Sequence, residues 1–263
     1  MPSEGDIDGG RSVDWGRVAG DYARHRPGPP DSFYERLRDV GVGRSGQRLL
    51  DLGTGTGSLA RRFAANGCRV VGVDISRASL IQAKQQDSPV KVNYVGGRAE
   101  ALPLHDNDFD VVIANQCWLY FDKSRTVPEV RRVLTRDGVL VTSHFNFMPR
   151  EDAIVRQSEA LVLSYNPHWT GADWSGVVPE IPDWSRGRAS VRARICYDEA
   201  IWFTREEWRG RMRALRGIGA SLAPEDVEAF DRDHEALLAR IAPERFPLMH
   251  RIDAHIFGLN DAR

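Results

Sequence analysis

Cysteine is scarce in this chain. Cys68, Cys117 and Cys196 are the three among 263 residues, and they lie far apart with no CxxC or Cys/His ligand spacing. That pattern excludes a disulfide framework and a cysteine-based zinc site, so reduced thiols and no bound metal are expected. Long apolar runs are also missing: no stretch approaches the roughly 18 residues that a membrane span needs. The opening MPSEGDIDGG has neither a basic nor an apolar segment of the signal-peptide kind, so a cytoplasmic location without membrane association is expected. Charge of one sign is absent too, with 36 Lys and Arg against 37 Asp and Glu and a net charge of -1. Binding to a phosphate backbone draws on a basic excess, so DNA and RNA are disfavoured as partners. Internal repeats and low-complexity segments are not found.

What is present is an ordinary globular composition, 41% hydrophobic and 28% charged, able to bury a sizeable core. Residues 1 to 12 lack apolar periodicity and are expected to be a disordered tail. Two helices follow within 13–45, one around Val13 to Tyr22 and one from Ser32 to Val40. From there strand and helix alternate. Strands are expected at Arg48 to Leu52, Arg69 to Asp74, Val90 to Val95, Phe109 to Ala114 and Val139 to Phe145. Helices are expected at Ser58 to Asn66, Ala78 to Gln86 and Arg125 to Leu134. Such alternation argues for a mainly parallel sheet covered on both faces. After Pro149 come a helix from Asp152 to Leu163 and a long aromatic loop, so residues 149–189 read as an insertion within a domain spanning 46–263. A strand within VRARICYDEAIWF, helices from Arg205 to Arg216 and Pro224 to Ile241, and a strand within RIDAHIFGL complete the chain.

The sharpest signal is LLDLGTGTGSLA, where an apolar strand runs into glycines and then into a helix. Gly53, Gly55 and Gly57 allow a tight turn and close approach of backbone to a ligand, and the following helix presents free N–H groups. A dinucleotide fingerprint has GxGxxG spacing, whereas this loop has GxGxG with Ser58 at the third fingerprint position. Asp51, just before the loop, would repel a pyrophosphate and suits a cationic ligand, such as the ammonium and sulfonium of S-adenosylmethionine. Asp74 ends the second strand, where an acid can hold two ribose hydroxyls or cap the next helix; the glycine loop upstream favours the ribose.

Together DLGTGTG, VVGVDIS, GGRAEALPLHDNDFDVVIANQ and EVRRVLTRDGVLV resemble, in order and spacing, the class I S-adenosylmethionine-dependent methyltransferases of the type 11 small-molecule group. The resemblance implies a Rossmann-like, doubly wound α/β fold: a seven-stranded sheet of order 3-2-1-4-5-7-6, its last strand antiparallel, with N-terminal lid helices and an insertion after strand 5. It implies that Gly53, Thr54, Gly55 and Gly57 wrap S-adenosylmethionine, that Asp74 holds the ribose, and that Ile75 lies against adenine. Ala99 and Glu100 would border the adenine ring, and Asn115 and Gln116 would flank the methionyl group. In DYARHRP, Tyr22 and Arg26 match a lid that closes over the cofactor. S-adenosylhomocysteine would be the product. Leu119 stands where many relatives have a histidine, so no acid/base role transfers to it.

The methyl acceptor is expected beyond the carboxyl ends of the strands. Trp118, Tyr120, His144, Tyr165, His168, Trp169 and Trp174 are candidates for an aromatic acceptor pocket, with ordinary core packing the competing reading. His144, ending the fifth strand, is the leading base, and Tyr120 is the second candidate for a catalytic role. Arg209 and Arg213, with Arg216, share a helix face that could hold an acceptor carboxylate or could be paired with neighbouring acids. An NPPY-type motif and a Pro-Cys nucleophile are absent, which favours a small-molecule acceptor. Methyl transfer to O or N, or else to C, is the leading expectation, by a monomer or homodimer. An NAD-dependent oxidoreductase and a noncatalytic cofactor-binding regulator are the alternatives.

Overall fold

A computed structural model describes residues 8, 13–26, 28–86 and 89–260. Of the expected tail, only Asp8 is among them. The elements in chain order are α1 (Ala19–His25), α2 (Asp31–Asp39), β1 (Arg48–Leu52), α3 (Ser58–Ala65), β2 (Arg69–Asp74), α4 (Arg77–Gln85), β3 (Val92–Gly96), β4 (Phe109–Asn115), α5 (Lys123–Val133), β5 (Leu134–Phe147), α6 (Ala153–Tyr165), β6 (Ala189–Thr204), α7 (Arg205–Arg213), α8 (Pro224–Ile241) and β7 (Arg245–Leu259). The strands form one seven-stranded sheet of order β3-β2-β1-β4-β5-β7-β6. β1 pairs in parallel with β2 and β4, β2 with β3, and β4 with β5. β7 runs against its neighbours. Its contacts step backwards along β6, with Asn260 N–H donating to Arg188 O and Ser190 Oγ–H to Gly258 O.

β5 begins at Leu134, five residues before the alternating apolar pattern at Val139, and takes in Gly138. A register shift between Phe109 and Val111 of β4 accommodates the extra residues. Pairing with a neighbour, which periodicity does not report, extended this strand.

The chain divides into two compact units. One comprises 28–145, 178–197 and 252–263; the other comprises 1–27, 146–177 and 198–251. The division falls within β5, β6 and β7, and it does not follow the expected boundaries at 45 and 149–189. The first unit buries Leu50, Leu52, Val112, Leu140 and Phe257 with Trp118 and Trp184. The second has its own apolar cluster, including Val155, Trp208, Met212, Phe230 and Leu248. Ile218, Ala220 and Leu222, in the glycine-containing segment GIGASL, are buried. Ile218 and Leu222 belong to this second cluster.

Candidate functional site

The glycine loop leaves β1 and enters α3, and its geometry follows from its glycines. Gly53, Gly55 and Gly57 all have positive φ, at 67°, 55° and 77°, which L-residues with a side chain rarely adopt. A Cβ on Gly53 would lie 2.8 Å from Cys117 Sγ, and one on Gly57 would lie 2.2 Å from Tyr94 Oη. At Gly55 a Cβ would meet nothing within 4 Å. The loop is therefore packed from behind at its two ends and open at its middle glycine.

Two carboxylates flank it. Asp51 is buried, with one oxygen accepting from Thr54 Oγ1–H at 2.7 Å. Burial raises its pKa to about 7, the Thr54 hydrogen bond lowers it, and nearby Asp74 raises it further. Asp74 accepts from Gly55 N–H at 2.8 Å and from Ser76 N–H at 2.7 Å, each oxygen holding one backbone donor. Its pKa is also raised, by burial first. No Lys or Arg forms an ion pair with either acid among the described residues. A buried and a partly buried carboxylate without a basic partner are costly, and a cationic ligand is the natural complement.

Thr54 is buried and also donates its N–H to Val73 O at 3.0 Å, so it braces the loop from below. Ile75 follows Asp74 and is 66% exposed, an apolar platform at the end of β2. Ala99 is buried. The Glu100 side chain pairs with Arg98 and accepts from Asp122 N–H at 3.2 Å, which ties it to the segment before α5.

At the end of β4, Asn115 is in register with Ser143 of β5, whose hydroxyl donates to Asn115 Oδ1 at 3.0 Å. Gln116 adopts φ 65°, unusual for a residue with a side chain. Its N–H donates to Ser143 O and its side-chain amide to Phe145 O, holding the turn that brings Cys117 beneath Gly53. His144 sits on β5 between these contacts, with its side chain one-third exposed and Nδ1 3.1 Å from Asp253 Oδ1 of β7. His255 approaches the same oxygen at 3.9 Å. The His255 Nε2–H donates to Pro179 O, so in its neutral form Nδ1 carries no proton. Asp253 thus serves as acceptor for His144. Tyr120 is half-buried in the short turn after β4, its N–H bonded to Cys117 O.

Several expected acceptor residues have other occupations. Trp118 is core, with its ring 4.8 Å from Trp184, which in turn lies 4.8 Å from Phe257. Trp169 is buried in the second unit's cluster against Gly171 and Gly217. For these two rings, ordinary packing replaces the pocket reading. Tyr165 donates its hydroxyl to Asp233 at 2.7 Å and packs edge-on against Phe230. His168 is exposed and Trp174 half-buried. Arg209 binds Asp231 and Glu235, and Arg213 binds Asp231 and Asp21. This corrects the expectation of an anion-binding face, because its donors are held by the chain's own acids. Tyr22 and Arg26 lie in the second unit, with the Arg26 guanidinium 4.5 Å over the Tyr22 ring.

Three residues of these arrangements carried no legible motif: Asp253, Cys117 and Tyr94. Asp253 had a signal, since it and His255 interrupt an otherwise apolar strand that is buried on both faces. The partners of Gly53 and Gly57 had none, because Cys117, in the turn after β4, and Tyr94, on β3, come from distant parts of the chain.

Residues 50–142 match the family model for the methyltransferase domain Methyltransf_11. Over these residues the chain is similar to class I, type 11 methyltransferase domains. Over 129 residues it is 36% identical to an uncharacterized methyltransferase of Mycobacterium bovis, covering 49% of this chain and 51% of that protein. The chain thus spans about half the length of that curated relative. The fold is also that of a putative type II methyltransferase from Anaeromyxobacter dehalogenans, with TM-score 0.58 and 24% identity over 88% of this chain and 96% of the other. Phospholethanolamine N-methyltransferase 2 of Haemonchus contortus, solved with phosphomonomethylethanolamine and S-adenosylhomocysteine, matches with TM-score 0.50 and 20% identity over 90% of this chain and 57% of that one. Similarity to this family is consistent with S-adenosylmethionine-dependent methyl transfer. Among the described residues no helix is long and apolar enough to cross a membrane.

Proposed function

We propose that this methyltransferase domain moves the methyl group of S-adenosylmethionine to a small metabolite or natural product, at oxygen or nitrogen or else carbon, by in-line displacement. The observation that carries this reading is the pair of acids, buried Asp51 and partly buried Asp74, beside an open glycine loop and without a basic partner among the described residues. Asp51 receives the cationic end of the cofactor. The backbone of Gly53, Gly55 and Gly57 lines its methionyl and ribose part, with Thr54 bracing the loop. Asp74 keeps its two backbone donors and has remaining lone pairs for ribose hydroxyls. Ile75 and the backbone of Ala99 border the adenine, with Glu100 beside it, and Asn115 and Gln116 face the methionyl group. The bound cofactor supplies an electrophilic methyl group on a sulfonium.

Orientation of the acceptor can supply much of the rate, up to about 7 to 11 kcal/mol from proximity. An acceptor that begins as a hydroxyl also needs a base. His144 fills that role: with Nδ1–H donated to Asp253, its Nε2 is the nitrogen free to take a proton. Asp253 is a positioning residue. Tyr120 is the second candidate near the end of β4. The acceptor is not a nucleic acid, and the protein works in the cytoplasm as a monomer or homodimer.

Titration calorimetry with S-adenosylhomocysteine tests the reading. Saturable binding by the wild-type protein and at least tenfold weaker binding by Asp74→Ala are expected. Heat with NADH and none with S-adenosylhomocysteine would discard it in favour of an oxidoreductase. Tight binding without any transfer of labelled methyl to a metabolite extract would favour a noncatalytic regulator.

A further inference from the structure

α6 and α8 carry the same short run of residues. Glu159, Ala160 and Leu161 on α6 are matched by Glu235, Ala236 and Leu237 on α8. Both helices belong to the second unit, and they pack antiparallel: Tyr165, at the end of α6, meets Phe230 and Asp233, whereas Ser158, two turns earlier, bonds His234 further along α8. Each helix buries one face, through Val155, Ser158 and Val162 on α6 and through Phe230, His234 and Leu238 on α8.

The alanine and leucine of each helix belong to a second face. On α6 it consists of Gln157, Ala160, Leu161 and Ser164. On α8 it consists of Asp233, Ala236, Leu237 and Arg240, at the same spacing. The two faces line one open groove of about 460 Å³. Ala160 and Ala236 are exposed there, and Leu161 and Leu237 are half-buried. A ligand site buries about 70–90% of a small molecule, which a groove this open does not do. A second apolar strip on helices that already face a core is suited to a further layer of helices.

The polar ends of the groove select which helices. One oxygen of Asp233 accepts from the Tyr165 hydroxyl at 2.7 Å, and Arg240 has neither a hydrogen bond nor an ion pair among the described residues. The two lie about 10 Å apart along the helix axis and do not pair with each other. Their midpoint falls between Ala236 and Leu237. A second copy of α8 laid antiparallel across that midpoint sets Asp233 against Arg240 of the copy, Arg240 against its Asp233, and each Ala236 against a Leu237, small against large. The same rotation lays α6 over its own copy, with Gln157 opposite Ser164 and Ala160 opposite Leu161. An isologous interface has this property: one two-fold rotation exchanges its residues among themselves.

We propose that the α6–α8 face is a homodimer interface, at which two copies of this chain form a four-helix bundle with an Ala–Leu centre and two Asp233–Arg240 ion pairs. Sedimentation equilibrium of the full chain over a concentration series tests it. The wild-type protein is expected to reach the mass of a dimer. Asp233→Arg and Arg240→Asp each set like charges opposite one another twice, and each alone is expected to raise the dimer Kd by about tenfold or more. An equimolar mixture of the two variants is expected to recover the dimer mass, because in the mixed pair both contacts again join opposite signs. Circular dichroism checks that each variant is folded, and Asp233→Lys replaces Asp233→Arg if that one is not. A wild-type monomer at every concentration would overturn the proposal, as would a dimer that either charge reversal leaves intact, or folded variants that stay monomeric when mixed.

Discussion

The two units bury different mixtures of charge. Among the described residues, acids outnumber bases in the unit holding the glycine loop, where Asp51 and Asp253 are buried with His255, and Asp74 is partly buried beside Asp51. In the other unit bases outnumber acids: Arg211, His234 and His250 are buried with Asp8 and Glu159. Burial disfavours the charged form of Asp51, Asp74, Glu159, Arg211, His234 and His250. At the glycine loop a cation is the natural complement.

The largest expected effect falls on the acid-bearing unit. His144→Gln removes the nitrogen that accepts a proton and is expected to lower kcat by about 10² to 10⁴, the range for loss of a general base. Asp253→Asn should cost less, since the imidazole remains but loses the carboxylate that fixes its tautomer. Steady-state kinetics with S-adenosylhomocysteine affinity as the control would check both. Unchanged kcat in His144→Gln would mean that the acceptor arrives already nucleophilic, and orientation alone would then account for the rate.

Next in size is a difference in acid response between the units. His234 bonds Ser158, which also accepts from Trp208 Nε1–H, and burial lowers the His234 pKa to about 4. His250, bonded to Leu248 O, is likewise lowered by burial to about 4. Both folded values lie below the unfolded value of 6.5. The unfolded chain therefore takes up these protons first, and stability present above 6.5 is lost as pH falls towards 4. The loss is about 3 kcal/mol for each histidine. Asp51 behaves in the opposite sense, because its folded value of about 7 lies above the unfolded 3.8. Its contribution is fully present below 3.8 and disappears as pH rises through 7. Hydrogen exchange on the ligand-free protein, corrected for intrinsic rates, should show protection lost on acidification from pH 7 to 5 around α6, α7 and α8, and gained around β1 and the glycine loop. Parallel loss in both regions would break the comparison.

How much of this could be read from the chain divides along the same line. The loop and Asp74 are local signals: DLGTGTG and VVGVDIS each place their residues within one turn, and β1, β2 and α8 fall on the expected residues. The strand order came with the family resemblance, not from any pattern in the residues. The base-bearing unit is assembled from three distant segments, and no periodicity announces that the segments 1–27, 146–177 and 198–251 share a core. REEWRGRMR shows the cost of reading one helix alone. Arg209 and Arg213 drew attention as an i, i+4 pair, and each meets acids from elsewhere in the chain, Asp231 on α8 and Asp21 on α1. Arg211 stood unremarked, although a buried cation one turn after the buried Trp208 is the anomaly on that helix. Asp253 in RIDAHIF is the same kind of signal on a strand.

A smaller effect concerns cofactor affinity and pH. If Asp51 must be ionised to meet the ammonium of the ligand, each pH unit below about 7 leaves about tenfold less of the competent form. The Kd of S-adenosylhomocysteine should then rise by up to about tenfold per unit as pH falls from 7 to 5, and Asp51→Asn should bind weakly with a flat profile. A steep profile that survives in Asp51→Asn would shift the titrating role to another group, with Asp74 the first to examine.

The smallest effect expected is at Arg209. Its guanidinium donates to Asp231 Oδ2 at 2.7 Å and to Glu235 Oε1 at 2.6 Å, and it is about one-fifth exposed. Pairs of this kind contribute about 1 kcal/mol or less, and Arg213 would still hold Asp231 after Arg209→Gln. Denaturant unfolding should therefore show a loss within that range, with kcat and KM for the acceptor unchanged. A tenfold rise in KM at nearly constant stability would restore the helix face to the acceptor site.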